Sequence, residues 1–153
     1  MGALKEPVLD LYEADFAAWA LAQANALERK DWQALDVPHL VEELESICKQ
    51  QRAELVNRLK VLLMHLAKWQ HQPTQRTMHG NSWRGSIDVQ RIEIERHVSK
   101  NPSLKPFIPE AMADAWKTAR IEAATESGLA RATFPVPCPY TWDEAMTEDW
   151  MPD

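Results

Sequence analysis

Residues 38–73 read PHLVEELESICKQQRAELVNRLKVLLMHLAKWQHQP, and this stretch decides the fold. Its apolar positions are Leu40, Leu44, Ile47, Leu55, Leu59, Leu62, Leu66 and Trp69. Those gaps match a helical repeat of about 3.6 and no strand repeat. The spacing predicts one helix of more than thirty residues. Asp36 can cap its start, and Pro38 falls in the first turn, where a missing N–H costs nothing. Glu42, Glu43 and Glu45 lie near the positive end of the helix dipole.

Outward from that helix, the rest of the chain also reads as helices. A first helix is expected over Leu11–Arg29, with Asp10 as cap and Glu13 as its box partner. Tyr12, Phe16, Trp19, Ala20 and Leu27 make its apolar face. Gln72–Ser82 reads as a loop, and a third main helix runs from a cap at Asn81 or Ser82 to Ser99. Its stripe is Trp83, Ile87, Ile94 and Val98. A fourth starts near Pro109 and stops at Gly128. TFPVPCPY holds three prolines and must be extended or irregular. Thr141 with Glu144 forms a second capping box and opens a short last helix. Ten prolines against four glycines fit helices punctuated by proline better than a sheet with many turns. The expected fold is all-α, one domain over residues 1–153, a bundle of four main helices with a Pro-rich strap.

No apolar run approaches the ~18 residues needed to cross a membrane. The start, MGALKEPVLDLYEADF, has no basic-then-apolar secretory pattern, and Glu6 breaks the acylation pattern. Cys48 and Cys138 are expected to be reduced thiols in a cytoplasmic protein. Charge is segregated: residues 1–48 carry a net −7, residues 49–105 a net +7 and residues 106–153 a net −6. This order fits internal charge matching. The alternative is a basic face offered to nucleic acid or an acidic partner, and the overall −6 argues against strong nonspecific DNA binding.

The seven tryptophans divide in two. Trp19, Trp69, Trp83 and Trp116 fall on core stripes. Trp32, Trp142 and Trp150 sit near turns or the C-terminus and form a candidate interaction surface. Arg91 falls on an apolar stripe and needs a buried partner, for which Glu45 is the candidate. Glu45, His65, Trp83, Arg84 and Arg91 together form a candidate polar pocket. The sequence has no His-x-x-x-His, Glu-x-x-His or Cys-x-x-Cys spacing and no Gly-rich phosphate loop, and nothing marks a Ser-His-Asp or Cys-His nucleophile arrangement, so no metal and no cofactor is expected.

The runs EELES, LLMHLAKWQ, SWR, ESGL and TFPVPCPY resemble the bacterial proteins grouped as domain of unknown function family twenty-nine. The resemblance spans Tyr12 to Trp150 and includes Glu42, Glu43, Glu45, His65, Trp69, Trp83, Arg84, Gly128, Phe134, Pro135 and Pro139. It implies a compact helical domain and implies no activity. The function expected from the residues is a non-enzymatic protein-interaction module, binding a protein partner or itself. The alternatives are a nucleic-acid-associated member of a regulatory or defence pair, resting on KWQHQPTQRTMHGNSWR, and a small enzyme built on the Glu/His/Arg pocket.

Overall fold

A computed structural model describes residues 10–153. The reading of residues 1–9, neither secretory start nor acylation pattern, lies outside the described residues. Among those described there are helices and no strand. The helices are α1 (Leu11–Ala14), α2 (Phe16–Glu28), α3 (Val37–His71), α4 (Arg76–Lys100), α5 (Ile108–Ser127) and α6 (Trp142–Met146). The chain gathers into two compact units, one up to Cys48 and one over Lys49–Asp153, and α3 runs through both. None of these helices is long and apolar enough to cross a membrane.

In the first unit the expected single helix is broken at Asp15, whose backbone leaves helical geometry at φ −153° and ψ 88°. The Asp15 carboxylate accepts from the Ala18 amide at 3.0 Å and so caps α2. An aspartate that can satisfy an amide itself competes with the helix ladder, which accounts for the break. Asp10 caps α1 by accepting from the Tyr12 amide at 3.2 Å, in place of the expected box with Glu13. Asp36 does open α3: its carboxylate accepts from the His39 amide, and its carbonyl accepts from the Leu40 amide at 3.0 Å.

The second unit holds the main core. Leu55, Leu59, Leu62 and Leu66 of α3 are wholly buried, as the 3.6 repeat demands. They meet Ile87, Ile94 and Val98 of α4 and a face of α5 that is mostly alanine, Ala111, Ala115, Ala119 and Ala123. Small side chains four apart let neighbouring elements approach the α5 backbone closely. Burying side chains the size of leucine contributes about 1.5–3 kcal/mol each before entropy is counted.

α4 begins at Arg76, earlier than expected, and the supposed loop shrinks to a 3-10 turn at Pro73–Gln75. Gly80 explains it. Its missing side chain lets the Trp69 ring lie where a Cβ would stand only 3.3 Å away. The glycine that reads as a loop signal is instead a point of close packing inside a helix. α5 ends as expected, with Gly128 left-handed at φ 71°.

The Pro-rich strap crosses the core face of this unit. Phe134 and Tyr140 are buried. Prolines lack N–H donors, but their carbonyls still accept, and Trp116 Nε1 donates to the Pro135 carbonyl at 3.0 Å. Arg120 donates to the Phe134 carbonyl at 3.1 Å, and the Tyr140 hydroxyl donates to Gln70 at 2.8 Å. The Thr141–Glu144 capping box then starts α6.

Candidate functional site

The apolar stripe of α3 is continuous in sequence but not in burial. Its second half is core. Its first half is exposed: Leu44 keeps 63% of its surface and Ile47 51%. Val37, Val41, Leu44 and Cys48 recur at helical spacing and are all exposed. Nine of the fifteen large apolar side chains exposed on the described chain lie within residues 11–47, including Phe16, Leu21 and Trp32 at 64%. Single exposed leucines need no explanation, but a concentration of this kind does.

Beside this apolar surface the same unit builds a polar and aromatic cluster. Trp19 Nε1 donates to the Asp36 carboxylate at 3.0 Å, and the Asp36 amide donates to Gln23 at 2.7 Å. His39 Nδ1 lies 2.7 Å from Asp36 Oδ2. The Tyr12 ring stacks on the His39 imidazole at 3.8 Å, and its hydroxyl donates to Glu43 at 2.6 Å. The bond to Asp36 raises the His39 pKa above its ordinary value, and the same contact lowers that of Asp36. The bond to Glu43 pushes the Tyr12 hydroxyl up to about 12. The i,i+3 spacing of Asp36 and His39 marks part of this cluster in the sequence, and nothing there ties Asp10 to the pair. Its other sequence traces are Asp36 as a cap and Tyr12 and Trp19 on one stripe.

In the second unit, the turn between α3 and α4 collects basic and aromatic side chains. The Arg76 and Arg84 guanidinia lie over the Trp69 ring at 4.8 and 5.0 Å. Lys68 lies 5.3 Å from the Trp83 ring centre and pairs with Glu126. His79 stacks on Trp83. Trp83 retains only 6% of its surface. Base stacking on an aromatic needs a free face. Trp83 has none, and arginines cover Trp69. Several basic side chains of residues 49–105 are also matched within the unit, Lys60 by Glu122, Arg58 by Glu54 and Arg96 by Glu93.

Arg91 is buried, at 6% of its surface. Its partners are not a glutamate, as expected, but two main-chain carbonyls. Nε donates to Ala145 at 2.8 Å and Nη2 to Trp150 at 2.6 Å. Nη1 makes no hydrogen bond and faces Asp88 at 3.8 Å. Burial lowers the Arg91 pKa, while Asp88 and Asp149 raise it. A cavity of about 330 Å³ opens there, lined by Asp88, Arg91, Ile92, Glu95, Met146 and neighbours at Glu148 and Asp149.

The other sequence-expected residues lie as follows. His65 donates from Nδ1 to the Val61 carbonyl one turn back at 2.8 Å, and burial lowers its pKa. Arg84 is exposed over Trp69. Trp83 lines a second cavity with Lys68, Gln72 and His79, separate in its lining from the one beside Arg91. Glu45 is exposed on the first half of α3. Trp142 and Trp150 are half-buried against the core of the second unit, and of the three candidate interface tryptophans Trp32 alone is exposed. Cys48 and Cys138 are both free thiols.

No curated protein and no solved structure matches the chain. A family model does, over residues 11–151, from the first turn of α1 to the residue after Trp150. With nearly the whole described chain covered, the protein belongs to the family described as Domain of unknown function DUF29.

Proposed function

We propose that this protein is a non-enzymatic interaction module of the cytoplasm, and that residues 11–47 hold its protein partner. The observation that carries this reading is the concentration of exposed large apolar side chains in that segment, above all the open first half of the α3 stripe. Residues 1–48 carry a net −7, so pairing this surface with itself sets like charge against like. The partner this chemistry fits is an apolar protein surface with a basic rim. The nucleic-acid reading loses its stacking platform, because Trp83 is buried and Trp69 lies under two arginines.

Affinity capture of the tagged protein from lysate of its own host tests this reading. The comparison is wild type against Leu44→Glu with Ile47→Glu, each with and without nuclease. The reading expects a stoichiometric protein that survives nuclease and is lost from the double variant. Partners that vanish on nuclease treatment, or that the double variant still holds, contradict it.

A further inference from the structure

We propose that Asp10, Asp36 and His39 form a binding site for a first-row divalent cation of the zinc and manganese type. Their donor atoms all lie within 4.8 Å of one another. Around an ion bound at about 2.0–2.2 Å from each donor, neighbouring donors stand roughly 3–4 Å apart. Asp36 Oδ2 and His39 Nδ1 are at 2.7 Å, so only a small opening admits the ion between them. The ion replaces the proton that this pair now shares.

The donor set has the right chemistry. One imidazole with two carboxylates suits zinc, manganese or ferrous iron better than the all-oxygen shell of calcium or magnesium. Two carboxylates and a neutral imidazole also balance a doubly charged ion. Three protein ligands leave a fourth position for water or for a donor from a partner.

The imidazole and its outer support separate this site from an ordinary group of surface acids. The three ligands come from three places, the cap of α1, the residue before α3 and the first turn of α3. Asp36 and His39 are three positions apart at the start of α3, and the fold brings Asp10 to that pair from the cap of α1. Trp19 Nε1 donates at 3.0 Å to Asp36 Oδ2, the same oxygen that faces His39, and so holds that carboxylate in place. Tyr12 fixes the imidazole plane by stacking on it at 3.8 Å, and is itself tied to Glu43. Metal ligands in proteins are oriented by such outer partners. The sequence hides the site because its first and last members are 29 positions apart, beyond any short ligand motif.

The test is titration of the full-length, chelator-stripped protein with zinc and manganese by calorimetry, and with cobalt(II) followed by its visible absorption. The expected result is one ion per chain. His39→Ala and Asp10→Asn each weaken it, and Trp19→Phe, which removes an outer donor, weakens it about 10–100-fold. Asp10 is exposed, so its variant remains informative if His39→Ala unfolds the unit, and circular dichroism checks both. Cys48→Ser is expected to bind as wild type does. No stoichiometric binding, or binding that both ligand variants leave unchanged, overturns the proposal.

Discussion

Arg91 on α4 donates to the carbonyl of Trp150, 59 residues further on, at 2.6 Å. A second bond from the same guanidinium reaches Ala145 at the end of α6. Carbonyls in the last turn of a helix lack donors of their own. A planar fork supplies one here and clamps the tail at two points. The consequence is specific. Arg91→Ala leaves one buried and one half-buried acceptor unmet and is expected to destabilise the protein by about 2–3 kcal/mol. Arg91→Lys recovers only part, because one ammonium cannot span both carbonyls with the same geometry. Chemical denaturation followed by tryptophan emission measures both, and equal stability of Arg91→Ala and wild type contradicts the clamp.

His65 and His71 predict an acid sensitivity. Burial lowers both below the ordinary histidine value of 6.5. The unfolded chain therefore binds protons more readily than the folded one near that value. Stability is fully present above about pH 6.5 and falls as pH drops toward the lower folded-state values. His65→Gln keeps a donor near the Val61 carbonyl without the titration. Its stability is expected to vary less with pH between 7 and 5 than that of wild type, in denaturation series measured at about one-unit steps. An unchanged slope rules out His65 as a contributor.

Two glycines of α4 predict opposite outcomes for one substitution. A Cβ at Gly85 meets nothing within 4 Å, so Gly85→Ala is expected to stabilise by about 0.5–1 kcal/mol through helix propensity alone. A Cβ at Gly80 meets Trp69 Cζ3 at 3.3 Å, and the Arg76 and Arg84 guanidinia both lie over that ring. Gly80→Ala is expected to gain nothing or to lose stability. Thermal melts of the two variants side by side decide it. An equal gain at both positions means the Trp69 packing is loose.

Helical periodicity made much of this fold legible. Leu55, Leu59, Leu62 and Leu66 fall on the stripe and are wholly buried, Gly128 ends α5 in the left-handed region, and Thr141 with Glu144 makes its box. Local competition was not legible. Asp15 reads as an ordinary helical residue until its carboxylate takes the Ala18 amide, and Gly80 reads as a loop until Trp69 fills the space above it.

The site was harder still to read, for two reasons. Sequence rules pair a buried arginine with an acid, but Arg91 is met by main-chain carbonyls, which every residue carries and no letter reveals. The same rules place every apolar stripe position inside. Leu44 and Ile47 sit on the stripe of Leu55 and Leu59 and are nonetheless exposed. Period reports which face is apolar, not what covers it.

That exposed half-stripe is the central claim, and site-specific photocrosslinking tests it most directly. A photoreactive phenylalanine analogue is placed at Leu44 in one protein and at Lys117, an exposed position on α5, in another. Both are irradiated in cells of the host. The account predicts a discrete protein adduct from position 44, absent from position 117, with the partner's crosslinked peptide apolar and flanked by basic residues. The same adducts at both positions, or none at position 44, would contradict it.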